Sequence, residues 1–223
     1  MVGEVERQPR GVRLRERYGL VLSLILVSYL LAGFEENLLM ILVNSLLWGT
    51  LLLATLWSPG LPATLRRVGV GATVVFFLTA ISMGLVASDL AHGLRLLMLA
   101  VAQLAALLAV IYRIAQHKVV TFQTVMGGIA AYALIAFVMA AVFRGLSLVT
   151  GSALLSGVGS SGDYIYYSFV TLTTVGYGDI TPATDLAKRL AVIEMFVGQV
   201  FLITLVARLV SLWGKPLERA ETN

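Results

Sequence analysis

Thr173-Thr174-Val175-Gly176-Tyr177-Gly178-Asp179 lies between two long apolar stretches, Val119 to Phe143 and Leu186 to Leu212. Two glycines alternate with a valine and a tyrosine, two threonine hydroxyls precede them and a carboxylate follows. A residue without Cβ takes φ > 0 at little steric cost, so the backbone here is free to adopt shapes closed to other sequences. A lone Gly-X-Gly would be a tight turn in a membrane loop. The full heptapeptide, placed between two apolar stretches, carries more, and the rest of the chain decides how it is read.

Of the 223 residues, 59% are hydrophobic and 13% charged, and the mean hydropathy is +0.92. That is an integral membrane protein. The net charge of +4 does not point to nucleic acid, because the basic residues are dispersed at the ends of apolar segments. There is no cysteine, so disulfides and thiolate-bound metals are excluded. His92 and His117 have no carboxylate cluster beside them, which argues against a metal site. No nucleophile, base and acid are grouped at catalytic spacing, so an enzyme is not expected, and neither is a cofactor. The basic N-terminus leads into an apolar run without a small-residue cleavage site, so no removable signal peptide is expected.

Against the roughly 20 residues needed to cross a bilayer, six segments qualify: Tyr18 to Gly33, Leu38 to Trp57, Val68 to Ser88, Leu94 to Ala115, Val119 to Phe143 and Leu186 to Leu212. Glu35, Glu36 and Asn37 part the first two as a surface hairpin, since carboxylates in mid-membrane are costly. With both termini in the cytoplasm, 12 of the 16 basic residues fall at the inner face, as the positive-inside rule asks. Asp89, Asp163, Asp179 and Asp185 fall outside. The expected division is a basic segment 1–17, a four-helix domain 18–118, a two-helix module 119–213 and a short tail 214–223. Arg10, Arg13, Arg15 and Arg17 suit either an anionic lipid surface or a plain topology anchor. Gly145 to Gly162, rich in glycine and serine, reads as a flexible outer loop. Asp163 to Thr173 is a helix candidate too short to span, with Asp163 as N-cap.

The heptapeptide resembles the selectivity filter of potassium channels, in which rings of backbone carbonyls replace the ion's hydration shell. The resemblance covers Val119 to Trp213 and is similar in layout to prokaryotic six-helix channels. It implies an all-α membrane protein, a re-entrant pore helix and assembly as a homotetramer in the plasma (inner) membrane. It implies K⁺ coordinated at Thr174, Val175, Gly176 and Tyr177, with Gly178 completing the filter and Thr174 adding its hydroxyl as the innermost ligand. Tyr166 and Tyr167 stand where most of the family has two tryptophans, and Tyr166 matches the residue that hydrogen-bonds the filter aspartate, here Asp179. Gly198 matches the inner-helix hinge glycine, although close helix packing explains a glycine equally well. Gln199, Leu202 and Val206 then face the cavity below the filter. Glu194, the one acid deep in a span, is expected to brace the pore helix through Thr171 or Ser168, partly protonated, or to be a structural polar contact.

Voltage-gated members carry a cation at every third position of the fourth span. Here Arg95 and Arg113 lie on one such row, but Met98, Val101, Leu104, Leu107 and Val110 fill it between them. The two arginines are expected to snorkel to opposite faces, and the first four helices to act as a scaffold. The tail after Trp213 is too short for a nucleotide- or calcium-binding domain, so no ligand sensor is expected. The competing readings are a non-conducting scaffold or sensor with an inherited pore, and a P-loop potassium transporter subunit. The short link from Ile114 to Lys118 is expected to pack the four-helix domain on its own subunit's pore.

Overall fold

The computed structural model describes residues 18–31, 43, 46–51, 62–82, 88–116 and 121–212. In chain order these form α1 (Tyr18–Leu31), a helical stretch at 46–51, α2 (Ala63–Ser82), α3 (Asp89–Gln116), α4 (Phe122–Thr150), β1 (Leu155–Ser156), α5 (Gly162–Leu172), β2 (Thr181–Pro182) and α6 (Asp185–Leu212). The expected lipid-facing arginines at 10–17, the hairpin at 35–37 and the tail 214–223 lie outside the described residues.

Among the described residues three helices are long and apolar enough to cross a membrane: α3, α4 and residues 185–208 of α6. At about 1.5 Å per residue, the 14 residues of α1 rise about 21 Å, short of a hydrocarbon core about 30 Å thick. Its apolar run Val21–Leu31 is correspondingly shorter than a span. Helix α2 starts before the expected Val68, because Pro62 sets its first turn and accepts the Arg66 amide at 3.1 Å.

The most extensive helix contact is between α3 and α4, and small residues make it. Gly93 and Gly145 meet backbone to backbone: a Cβ on Gly93 would sit 2.7 Å from the Gly145 carbonyl oxygen. Ala102, Ala105, Ala106 and Ala109 on α3, with Ala130, Ala133 and Ala136 on α4, are buried between larger apolar side chains. Small residues of this kind let membrane helices approach closely. Near the C-terminal ends of α3 and α6, Arg208 donates to the Ala115 carbonyl at 2.9 Å. Thr121 and Thr124 form a reciprocal capping box that starts α4.

Two expectations are corrected. Leu155 pairs with Pro182 and Ser156 with Thr181 in a two-residue antiparallel ribbon within an otherwise helical fold. The outer loop therefore is not a loose stretch from Gly145. Residues 145–150 complete α4, Gly151 ends it in the left-handed conformation (φ 63°), and the loop then folds onto the segment after the heptapeptide. Leu154 and Leu155 are 2% exposed, and burying this apolar pair is what draws the loop inward. Arg95 is also corrected: it is 6% exposed and lies within the helix packing instead of snorkelling out.

Candidate functional site: a short helix and the strand that follows it

Helix α5 packs on α4 and α6 and delivers the chain to the heptapeptide. Asp163 is not its N-cap: Ser161 holds that position. The Asp163 carboxylate instead accepts the Gly159 and Ser160 amides at 2.7 and 2.8 Å, closing the loop that enters the helix. Burial pushes its carboxyl up, but these backbone donors outweigh burial and hold it below the usual carboxylate range.

Aromatic rings fix the helix from behind. Trp48 meets Phe137 edge-on at 5.1 Å, Phe137 meets Phe169 at 5.8 Å, and Tyr29 meets Phe169 at 6.0 Å. The pore-helix candidate is thus tied directly to α1 and, through α4, to Trp48. Tyr167 is buried edge-on against Phe143 at 5.3 Å.

Beyond Leu172 the backbone changes character. Thr174, Gly176 and Gly178 have φ of 60°, 60° and 81°, while Val175 and Tyr177 between them do not have positive φ. In an ordinary strand successive peptide groups face opposite ways. A left-handed residue at every second position interrupts that alternation. Thr174 is the one non-glycine residue with positive φ among those described. For a β-branched residue this is a genuine outlier, the kind of local strain that clusters at functional sites.

The strand is held at both ends. Thr174 N–H donates to the Thr171 carbonyl at 3.0 Å, and the Val175 and Gly176 amides share the Val170 carbonyl at 3.0 and 3.4 Å. At the outer end, Tyr166 donates to Asp179 Oδ2 at 2.7 Å, and the Tyr166 and Tyr177 rings stack at 6.4 Å within 5° of parallel. The Tyr166 hydroxyl holds the Asp179 carboxyl below its ordinary value, and the same bond pushes Tyr166 up to about 12. The loop closes this end. A Cβ on Gly157 (φ 85°) would lie 2.5 Å from the Asp179 carbonyl oxygen, and Ala183 N–H donates to the Leu154 carbonyl at 2.8 Å. Sequence reading missed this brace; its available signal was the Leu154-Leu155 pair followed by Gly157.

Between its ends the strand is bare. Val175 is 52% exposed and Tyr177 70%, and a Cβ on Gly176 or Gly178 would meet no atom within 4 Å. Positive φ, not lack of room within the chain, requires these glycines. An open groove of about 320 Å³ behind the strand is lined by Tyr167, Thr171, Thr174, Ala191 and Met195 among others.

On α6, Ala187, Ala191, Glu194 and Gly198 form the buried seam, a 4-3-4 spacing that keeps them on one helix face. Gly198 is packed, not free: a Cβ there would lie 2.5 Å from Leu172 Cδ1 and 3.0 Å from the Leu172 carbonyl oxygen. Glu194 is 1% exposed. Ser168 is buried as well and interacts with the Glu194 carboxyl, without a hydrogen bond of good geometry to either side chain. Gln199 is half-buried, while Leu202 and Val206 are exposed one turn apart. Most other α6 side chains, Phe196 and Ile203 among them, are likewise uncovered. Among the described residues no cluster of metal-ligating side chains is found.

Residues 131–214, from α4 through α6, match the family described as "Ion channel". Within the chain, 49 residues are 49% identical to two-pore potassium channel 4 of Arabidopsis thaliana, covering 22% of this chain and 17% of that protein. Two Oryza sativa subsp. japonica proteins are similar as well. Two pore potassium channel b is 56% identical over 36 residues (16% of this chain, 10% of the relative), and two pore potassium channel c is 45% identical over 49 (22% and 11%). The matches thus span less than a fifth of these relatives' length. Among the described residues three helices are membrane-span candidates, the segment that includes α5, the heptapeptide and α6 matches an ion-channel family, and the chain has local similarity to potassium channels.

Proposed function

We propose that this protein is a potassium-selective channel of the six-helix type found in prokaryotes, formed by four copies around one axis. The observation that carries the reading is the φ pattern at Thr174, Gly176 and Gly178. One chain contributes one strand with its carbonyls on one side, and a ring of strands is needed to surround an ion with oxygens. K⁺ is coordinated at Thr174, Val175, Gly176 and Tyr177, with Gly178 allowing the last turn of the backbone. Val175 and Tyr177 brace the strand from behind against the neighbouring subunit. The exposed apolar surface of α6 and the groove behind the strand support assembly, because a single copy leaves both uncovered.

The C-terminal end of α5 points its partial negative charge toward the ion path. Asp179 and Tyr166 hold the outer mouth, and Tyr167 with Glu194 supports α5 from behind. Gln199, Leu202 and Val206 line the water-filled vestibule on the inner side. Arg95 and Arg113 are 18 residues apart on α3, about 27 Å along the axis, with apolar residues on the row between them. Moving a charge through the field is worth about 2.3 kcal/mol per 100 mV, and neither arginine has a path to travel. Conduction is accordingly voltage-insensitive or weakly voltage-dependent. The protein sits in the plasma (inner) membrane with both termini cytoplasmic and its arginine-rich N-terminus on anionic lipid. Each four-helix domain packs on its own subunit's pore.

Purified protein in a planar bilayer with a K⁺/Na⁺ gradient tests this. Current reversing near the K⁺ equilibrium potential is expected. Reversal midway between the two cation potentials, or no current, would overturn it.

A further inference from the structure

We propose that Tyr132, on α4 and 40 residues before the pore helix ends, is a filter-positioning residue: its hydroxyl caps the Leu172 carbonyl and so fixes where the strand begins. The proposal rests on the potassium-channel reading and adds to it a residue outside the heptapeptide.

A helix leaves its last four carbonyls without partners inside the helix. In α5 three of them are satisfied by the chain that follows. Phe169 takes the Thr173 amide at 3.0 Å and the Thr173 hydroxyl at 2.6 Å. Val170 takes the Val175 and Gly176 amides, and Thr171 takes the Thr174 amide. The fourth, Leu172, takes its hydrogen bond from the Tyr132 hydroxyl at 3.0 Å. The strand bends away at Thr174 (φ 60°), so a donor from another helix meets the carbonyl the strand leaves behind.

Tyr132 is held where this bond needs it. Its ring stacks on Phe201 of α6 with centroids 6.1 Å apart and planes 22° apart. Leu172 is fully buried. The Cβ position of Gly198 lies 3.0 Å from the same carbonyl oxygen, so α6 also packs closely against it. One oxygen, two residues before the innermost coordinating residue of the reading above, is therefore gripped by α4 and packed closely by α6. A buried carbonyl that loses its donor is costly, and the strain at Thr174 can relax only by moving the strand.

K⁺ bound in the filter stabilises it by mass action, so the contribution of Tyr132 is read most clearly when K⁺ is withdrawn. The experiment records the tetramer in a planar bilayer while the outer solution is switched from K⁺ to Na⁺, and measures how fast selective current is lost. Tyr132→Phe, which removes only the oxygen, should speed the loss about tenfold, the weight of one hydrogen bond to a buried carbonyl. Tyr112→Phe, an exposed tyrosine on α3, should not. Equal rates in Tyr132→Phe and the parent would overturn the proposal. If Tyr132→Phe does not assemble, 3,5-difluorotyrosine at 132 keeps the hydroxyl and makes it a stronger donor. Slower loss is then expected, and unchanged or faster loss would overturn the proposal. A parent protein without K⁺ current would defeat the channel reading and leave the bond to be judged separately. Isotope-edited infrared spectra of a ¹³C-carbonyl Leu172 should show its stretch at lower wavenumber with difluorotyrosine; an unmoved band would mean the bond is absent.

Discussion

Replacing Gly198 with alanine separates two physical accounts of one residue. The new Cβ would stand 2.5 Å from Leu172 Cδ1, 3.2 Å from Leu172 Cγ and 3.0 Å from the Leu172 carbonyl oxygen. Cδ1 is the end of a flexible side chain, but Leu172 is fully buried and its carbonyl is bonded to Tyr132. Neither rotation nor a small backbone shift is therefore free. Overpacking of this kind costs about 1–3 kcal/mol in each subunit. Leu172→Val shortens the side chain by one methylene and alone costs about 1 kcal/mol. It removes the 2.5 Å contact and keeps the one at 3.0 Å, so the double variant should recover about 1 kcal/mol per subunit relative to the sum of the single effects. Thermal melting of the tetramer in saturating K⁺, followed by fluorescence-detected size exclusion, gives the three differences for a double-mutant cycle. Additivity within about 0.3 kcal/mol, or an unchanged melting point in Gly198→Ala, would refute the packing account. A hinge glycine would alter opening while leaving the cycle additive.

Gly178→Ala should abolish selective current through backbone strain at φ 81°, about 1–2 kcal/mol per subunit. D-alanine, which accepts positive φ, should preserve the current, and equal loss with both enantiomers would show that space is the constraint. External pH gives a second test. Asp179 has a depressed pKa, so its stabilising contribution is complete above the ordinary 3.8 and is lost as pH falls through the lower folded value. Tyr166 is raised to about 12, so its contribution is complete below the ordinary 10.0 and is lost as pH rises through about 12. Selectivity should therefore be flat from about pH 4 to 10; a transition between pH 6 and 8 that disappears in Tyr166→Phe would contradict this. Neutralising Arg95 and Arg113 together should leave open probability only shallowly dependent on voltage between about −100 and +100 mV, and loss of a steep dependence in that variant would restore a sensing role to α3.

Composition alone established a membrane chain, because 59% hydrophobic residues cannot be hidden inside a soluble domain of this size. The heptapeptide pointed to its chemistry from local sequence, since positive φ at Gly176 and Gly178 is a property of single residues. The same holds for the Tyr166–Asp179 hydrogen bond, whose partners were legible from a motif spanning 14 residues. The positive φ of Thr174 was not legible, because threonine has no preference for it and only the bonds from α5 hold it there. Nor was the outer loop. Gly145 to Gly162 has the composition of a flexible segment, yet burial of Leu154 and Leu155 folds it onto the strand, and burial depends on what lies across the gap. Glu194 illustrates the same limit: its depth could be counted along the helix, but its burial at 1% exposure depended on how α6 packs. Gly198 left two readings open until Leu172 was seen beside it, and Tyr132 carried no signal at all. A hydrogen bond across 40 residues is decided by how α4 packs on α5, not by the local sequence around the tyrosine that makes it.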